Sequence, residues 1–257
     1  MLARREIVKG VAGLPLAAVL ANPMLARAAA ADLKKVSITT AGGRRVDASL
    51  AMPATTPAPA VILIHEWWGL NDQIKAVAAE FANQGYLGLA VDLYGGQSAT
   101  TREGARTLMQ QVEPPAAVDT LTSWARWLNK HPKSSGKLGS VGWCFGGGWS
   151  LMTGISTPTD ATVIYYGNVA RTADELASLK GPVLGHFATR DGWINQPMVD
   201  GFAAEMKKAG KDLTVHWYEA DHAFANPTSA RYDEADAKLS WERTTAFFGE
   251  HLKNTSG

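Results

Sequence analysis

Six short apolar runs, each followed by a stretch with helical periodicity, constrain this chain more than any other feature. Val61-Ile62-Leu63-Ile64 is continuously apolar, as a strand buried on both faces must be. Residues 86–91, 138–141, 161–166, 182–188 and 213–219 repeat the pattern. Between them, Ile74, Val77, Ala78 and Phe81 recur at helical spacing after a capping Asn71 or Asp72 and before Gly85. Val118, Leu121, Trp124, Ala125 and Leu128 do the same after Pro114-Pro115. Helices are also expected over 102–112, 148–155, 173–179, 197–209 and 232–252. Alternation of this kind predicts an α/β fold, a mostly parallel sheet with helices on both faces. Upstream, 36–40 and 45–51 flank Gly42-Gly43 and predict a hairpin. With 257 residues, no internal repeat and no linker, residues 29–257 form one expected domain.

Residues 1–28 stand apart. Arg4-Arg5 precede Glu6-Ile7-Val8-Lys9, an apolar run over 11–25, and Ala26-Arg27-Ala28. A charged start, an apolar middle and an A-x-A site make this stretch similar to a bacterial twin-arginine export signal. Pro15 and Pro23 interrupt a run already short for a membrane span. The expectation is a signal cleaved after Ala28, a periplasmic or secreted mature chain, and no membrane attachment afterwards. The formal charge then moves from +1 to about −2, with no polybasic patch for lipid or nucleic acid. A single cysteine excludes an internal disulfide and any Cys-cluster metal site. Neither metal nor organic cofactor is expected.

That cysteine lies in Gly142-Trp143-Cys144-Phe145-Gly146-Gly147, between an apolar strand and a helix. The spacing matches G-x-S-x-G, the elbow that holds a nucleophile out above a sheet, with cysteine in place of serine. The unpaired amides of the following helix favour thiolate and, later, an oxyanion. On the hexapeptide alone, a small buried thiol at a tight turn explains the sequence equally well.

In parallel sheets the site lies beyond the carboxyl ends of the strands. Glu66 follows 61–64, Cys144 follows 138–141, Asp191 follows 183–188 and His222 follows 215–219. The last three occur in the order nucleophile, acid, histidine. Asp221 is a rival acid, but next to His222 it is poorly placed to align with it. Asp200 falls in an expected helix, and His65, His131, His186, His216 and His251 carry no supporting motif.

Taken together, Glu66-Trp67-Trp68-Gly69-Leu70-Asn71, Gln84-Gly85-Tyr86 with Asp92-Leu93-Tyr94, the elbow, and His216-Trp217-Tyr218-Glu219 with His222-Ala223-Phe224 resemble the dienelactone hydrolase family. The resemblance spans roughly residues 45–250 and implies an α/β-hydrolase fold. It implies a triad of Cys144, His222 and Asp191, an oxyanion hole from the Trp67 and Phe145 amides, and a Glu66 that governs when the thiol ionises. It also implies a small-molecule ester or lactone as substrate. A monomer is expected. Two family arginines that bind the substrate carboxylate are replaced here by Gly96 and Asn226. Arg102 and Arg231 are the candidate substitutes. Trp67, Trp68, Trp143 and Trp193 offer an apolar pocket instead, or simple packing beneath the elbow. Two further readings stand beside hydrolysis. A non-catalytic binding protein would show ligand-induced stabilisation without turnover. A thiol redox sensor would need to do without a resolving cysteine.

Overall fold

The computed structural model describes residues 14–253. Eight strands form one sheet: β1 (Lys34–Thr39), β2 (Arg45–Ala51), β3 (Ala58–Ile64), β4 (Leu87–Val91), β5 (Ser134–Trp143), β6 (Ala161–Tyr165), β7 (Val183–Ala188) and β8 (Leu213–Tyr218). Their order is β1-β2-β4-β3-β5-β6-β7-β8. The first two strands form the expected hairpin, with β2 antiparallel to β4, and every pair from β4 to β8 is parallel. The β3 run explains its own place in the centre. Val61 and Leu63 enter one apolar cluster, and Ala60, Ile62 and Ile64 enter the other, all fully buried.

Helices cover both faces, as the alternation predicts. α3 (Asp72–Asn83) and α9 (Glu234–Phe248) supply Ile74, Val77, Phe81 and Phe248 to one face. α5 (Pro114–Lys130) supplies Leu121, Trp124 and Leu128 to the other. α4 (Arg102–Gln110), α6 (Phe145–Ser156), α7 (Ala173–Leu176) and α8 (Gln196–Lys208) complete the layers. The Asn71 side chain caps α3 by accepting from the Ile74 amide at 3.1 Å. The last expected helix ends in a π-helical turn, Gly249–Lys253. β5 begins four residues earlier than its apolar run, because Ser134 pairs with Ala58 before the buried portion starts.

The described part of the signal-like segment is ordered against the domain. It forms α1 (Leu16–Ala21) and α2 (Pro23–Ala30), and Val19, Leu20 and Ala26 are buried. Asn22 caps α2, and the Gln73 side chain donates to the Leu20 carbonyl at 3.0 Å. Arg4, Arg5 and the remainder of residues 1–13 lie outside the described residues. No helix among the described residues is long and apolar enough to cross a membrane.

Candidate active site

The elbow is built from backbone contacts. Cys144 has φ 55° and ψ −117°, a conformation that costs a non-glycine residue about 1–3 kcal/mol. Its amide donates to the Tyr165 carbonyl at 3.0 Å, and its carbonyl accepts from Gly147 at 3.0 Å. A Cβ at Gly142 would strike the Gly146 carbonyl, and one at Gly146 would strike the carbonyls of Ile64 and His65. Only glycine permits strand, turn and helix to meet this closely.

Around the thiol, the structure brings together most of the residues singled out from the sequence. The Phe145 and Trp67 amides lie on the sulfur side of the elbow and act to lower the Cys144 pKa, although neither makes a hydrogen bond to the sulfur at rest. They are outweighed. Burial first, then the Glu66 and Asp191 charges, push the thiol up to about 12. No hydrogen bond joins Cys144 to Glu66 or to His222 among the described residues, so Glu66 acts on the thiol through its charge.

His222 and Asp191 form a direct pair, Nδ1 to Oδ2 at 2.5 Å, with both residues buried. The other Asp191 oxygen accepts from the Trp193 and Ile194 amides at 2.8 and 3.1 Å. Burial works to raise this carboxyl, but the His222 hydrogen bond and charge and the two amides prevail, and it stays below its ordinary range. The rival Asp221 instead faces solvent in a 3.4 Å ion pair with Arg190. Asp200 is exposed on α8.

Glu66 is buried, and burial raises its carboxyl, with partial relief from Asn226, His222 and Arg231. Asn226 Nδ2 donates to Glu66 Oε2 at 2.6 Å. The position where the family arginine is missing therefore still touches Glu66, as a neutral donor. Arg231 holds its guanidinium 5.5 Å over the Trp193 ring, and Trp193 meets His222 edge-on at 5.2 Å.

The tryptophans divide. Trp193 is 64 % exposed at the rim. Trp67 and Trp68 lie partly exposed against each other, 5.0 Å between centroids. Trp143 is buried and stacked on Tyr165 at 5.5 Å, which makes it packing at the elbow, although it also reaches a cavity wall.

Sequence reasoning set His65 aside, and the structure gives it a place. Burial lowers its pKa and keeps it neutral. Nε2 accepts from the Leu93 amide at 3.2 Å, which leaves Nδ1–H to donate to the Glu66 carbonyl at 2.6 Å. The Tyr94 hydroxyl donates to the next carbonyl, Trp67, at 3.1 Å. These bonds orient the peptide that aims the Trp67 amide at sulfur. His65 directly before Glu66 was the available signal. Tyr166, at φ 37° with its ring 5.1 Å from His222, was also missed. His186 is a satisfied core residue, bonded to Tyr218 and Thr244. Among the described residues no cluster of three potential metal ligands occurs.

Comparisons with known proteins agree with this architecture. The dienelactone hydrolase family pattern matches residues 46–252. A carboxymethylenebutenolidase of Pseudomonas putida is 31% identical over 227 residues, covering 82% of this chain and 94% of the relative. A solved structure from Klebsiella pneumoniae has a TM-score of 0.76 at 26% identity, covering 85% of this chain and 99% of its own. A dienelactone hydrolase-like promiscuous phosphotriesterase from metagenomic libraries shares the fold, with a TM-score of 0.78 at 21% identity over 86% and 99% of the two chains. With the match running from β2 to the end of the final helical turn, this chain belongs to the dienelactone hydrolase family, of the α/β-hydrolase superfamily.

Proposed function

We propose that this family member, a lactone or ester hydrolase, works through Cys144 on small esters and lactones with apolar acyl groups. The observation that carries the reading is the buried His222–Asp191 pair beside the strained Cys144 elbow, with the Phe145 and Trp67 amides acting on its thiol. His222 takes the thiol proton, and the thiolate adds to the carbonyl carbon. The two amides receive the oxyanion that results. Collapse expels the alkoxide, which takes the proton from His222 and leaves an acyl thioester. Water attacks that thioester while His222 accepts its proton, and Asp191 stabilises the imidazolium each time. Cys144 and His222 share no hydrogen bond at rest, so substrate binding must realign them before proton transfer. Burial, with the Glu66 charge second, holds the thiol protonated until then. The residues present require no metal or cofactor for these steps.

Arg231 beside Trp193 favours a second reading, in which a carboxylate-bearing acyl group is held at the rim. One experiment addresses both. Paired aryl esters, identical except for an acyl carboxylate, are turned over and the protein is quenched in acid for intact mass measurement. The proposal expects an acyl adduct on Cys144 and faster turnover of the neutral ester. Turnover with no adduct under any condition counts against the thioester, and a strong preference for the anion selects the Arg231 reading.

We further propose that residues 1–28 direct twin-arginine export and are removed. Expressed in a bacterium with this pathway, the chain should be recovered from the periplasm shortened by that segment. An Arg4→Lys, Arg5→Lys variant should stay in the cytoplasm. Equal export of both sinks the assignment.

A further inference from the structure

A cavity of about 380 Å³ lies between α3, α9 and the loop at Ala225–Pro227, with Glu66 in its wall. Ile74, Val77, Trp143 and Trp241 make it apolar, and Leu16 and Leu20 of α1 close one side. Five buried side-chain atoms among the described residues have no hydrogen-bond partner, and three of them belong to residues lining this cavity. They are Glu66 Oε1 and the hydroxyls of Tyr166 and Tyr232. Buried polar atoms are normally satisfied, so three orphans in one apolar cavity indicate a missing partner.

We propose that this cavity binds a small, uncharged, largely apolar alcohol, with its hydroxyl among Glu66, Tyr166 and Tyr232 and its body on Ile74, Val77, Trp143 and Trp241. A hydroxyl both donates and accepts, which suits a carboxyl oxygen and two phenols together. The cavity size lies within the range of small-molecule sites. Charge excludes anions. Glu80, Glu234 and Glu242 line the site against Lys238 alone, with Glu66 inside. The apolar walls penalise any ion that lacks a partner. None of the three polar groups comes from α1, so α1 contributes wall but not recognition, and the cavity closed on that side belongs to the chain before residues 1–28 are removed.

The test uses the full chain carrying Cys144→Ala, so that binding is read without turnover and does not depend on the hydrolytic mechanism. The probe is 2-naphthol, followed by calorimetry. The proposal expects saturable binding, and at least tenfold weaker binding of 2-naphthoate. Adding Tyr166→Phe with Tyr232→Phe should weaken 2-naphthol about tenfold while Tm holds or rises, because an unpartnered buried hydroxyl is lost. Ala237→Phe, which places a ring in the cavity wall, should abolish binding. Absence of saturable binding overturns the proposal. So does an affinity unchanged by both sets of substitutions, or one lost with Trp193→Ala and kept with Ala237→Phe, which would place the naphthol at the catalytic rim.

Discussion

Cys144→Ala should lower kcat/KM on the best ester by about 10⁴-fold or more, the scale set by loss of a covalent nucleophile. Alanine keeps the Cβ, so the backbone strain at φ 55° is unchanged. Cys144 is half-buried as a residue although its thiol is enclosed, and the change removes a single sulfur atom, so Tm should fall only slightly. The loss would therefore be chemical rather than structural. A residual rate above water is expected, because the Phe145 and Trp67 amides remain in place to receive an oxyanion. Steady-state kinetics beside a thermal melt separate these effects. Activity within tenfold of wild type would falsify the assignment of Cys144 as nucleophile.

The second large effect concerns Glu66. With the thiol pushed up to about 12, the thiolate at pH 8 is on the order of one part in 10⁴. The sign is fixed by the direction of the shift. Wild-type alkylation by iodoacetamide should rise about tenfold per pH unit from 7 to 10, with no plateau. Glu66→Gln preserves shape and can still bond to Asn226, but removes the second-largest cause of the shift. Alkylation at pH 8 should accelerate, by less than the roughly thousandfold that recovery of the whole shift from about 12 to 9.0 would bring. It should remain slower than a free model thiol, because burial is the larger cause and persists. Equal rates in the two proteins would remove Glu66 from control of the thiol.

The sheet was legible because its strands are buried on both faces, and continuous apolar runs announce that condition directly. The three-residue order Cys144, Asp191, His222 was legible because each residue follows its own strand, where a parallel sheet exposes its loops. The roles of His65 and Tyr166 were not, since they depend on which carbonyl or ring a side chain reaches across the fold. Asn226 was read as an absence, the loss of an arginine. In three dimensions it is a donor to Glu66, a contact spanning 160 positions of sequence that no local pattern carries. Trp143 could not be assigned from sequence for the same reason, because strand position says nothing of what lies opposite, and here it is Tyr165.

The glycines beneath the elbow carry one more consequence. Where Gly142, Gly146 and the end of β3 meet, main chain rests on main chain, and no side chain stands between them. Such a joint has no rotamers. Repacking in the clusters on either face of the sheet can shift side chains without a lever through which to move the sulfur. The nucleophile is thus mechanically insulated from drift in the core, whereas the loops that bring Glu66, Asp191 and His222 to it are not. Changes of specificity in this chain can accumulate in those loops while the reacting atom keeps its address.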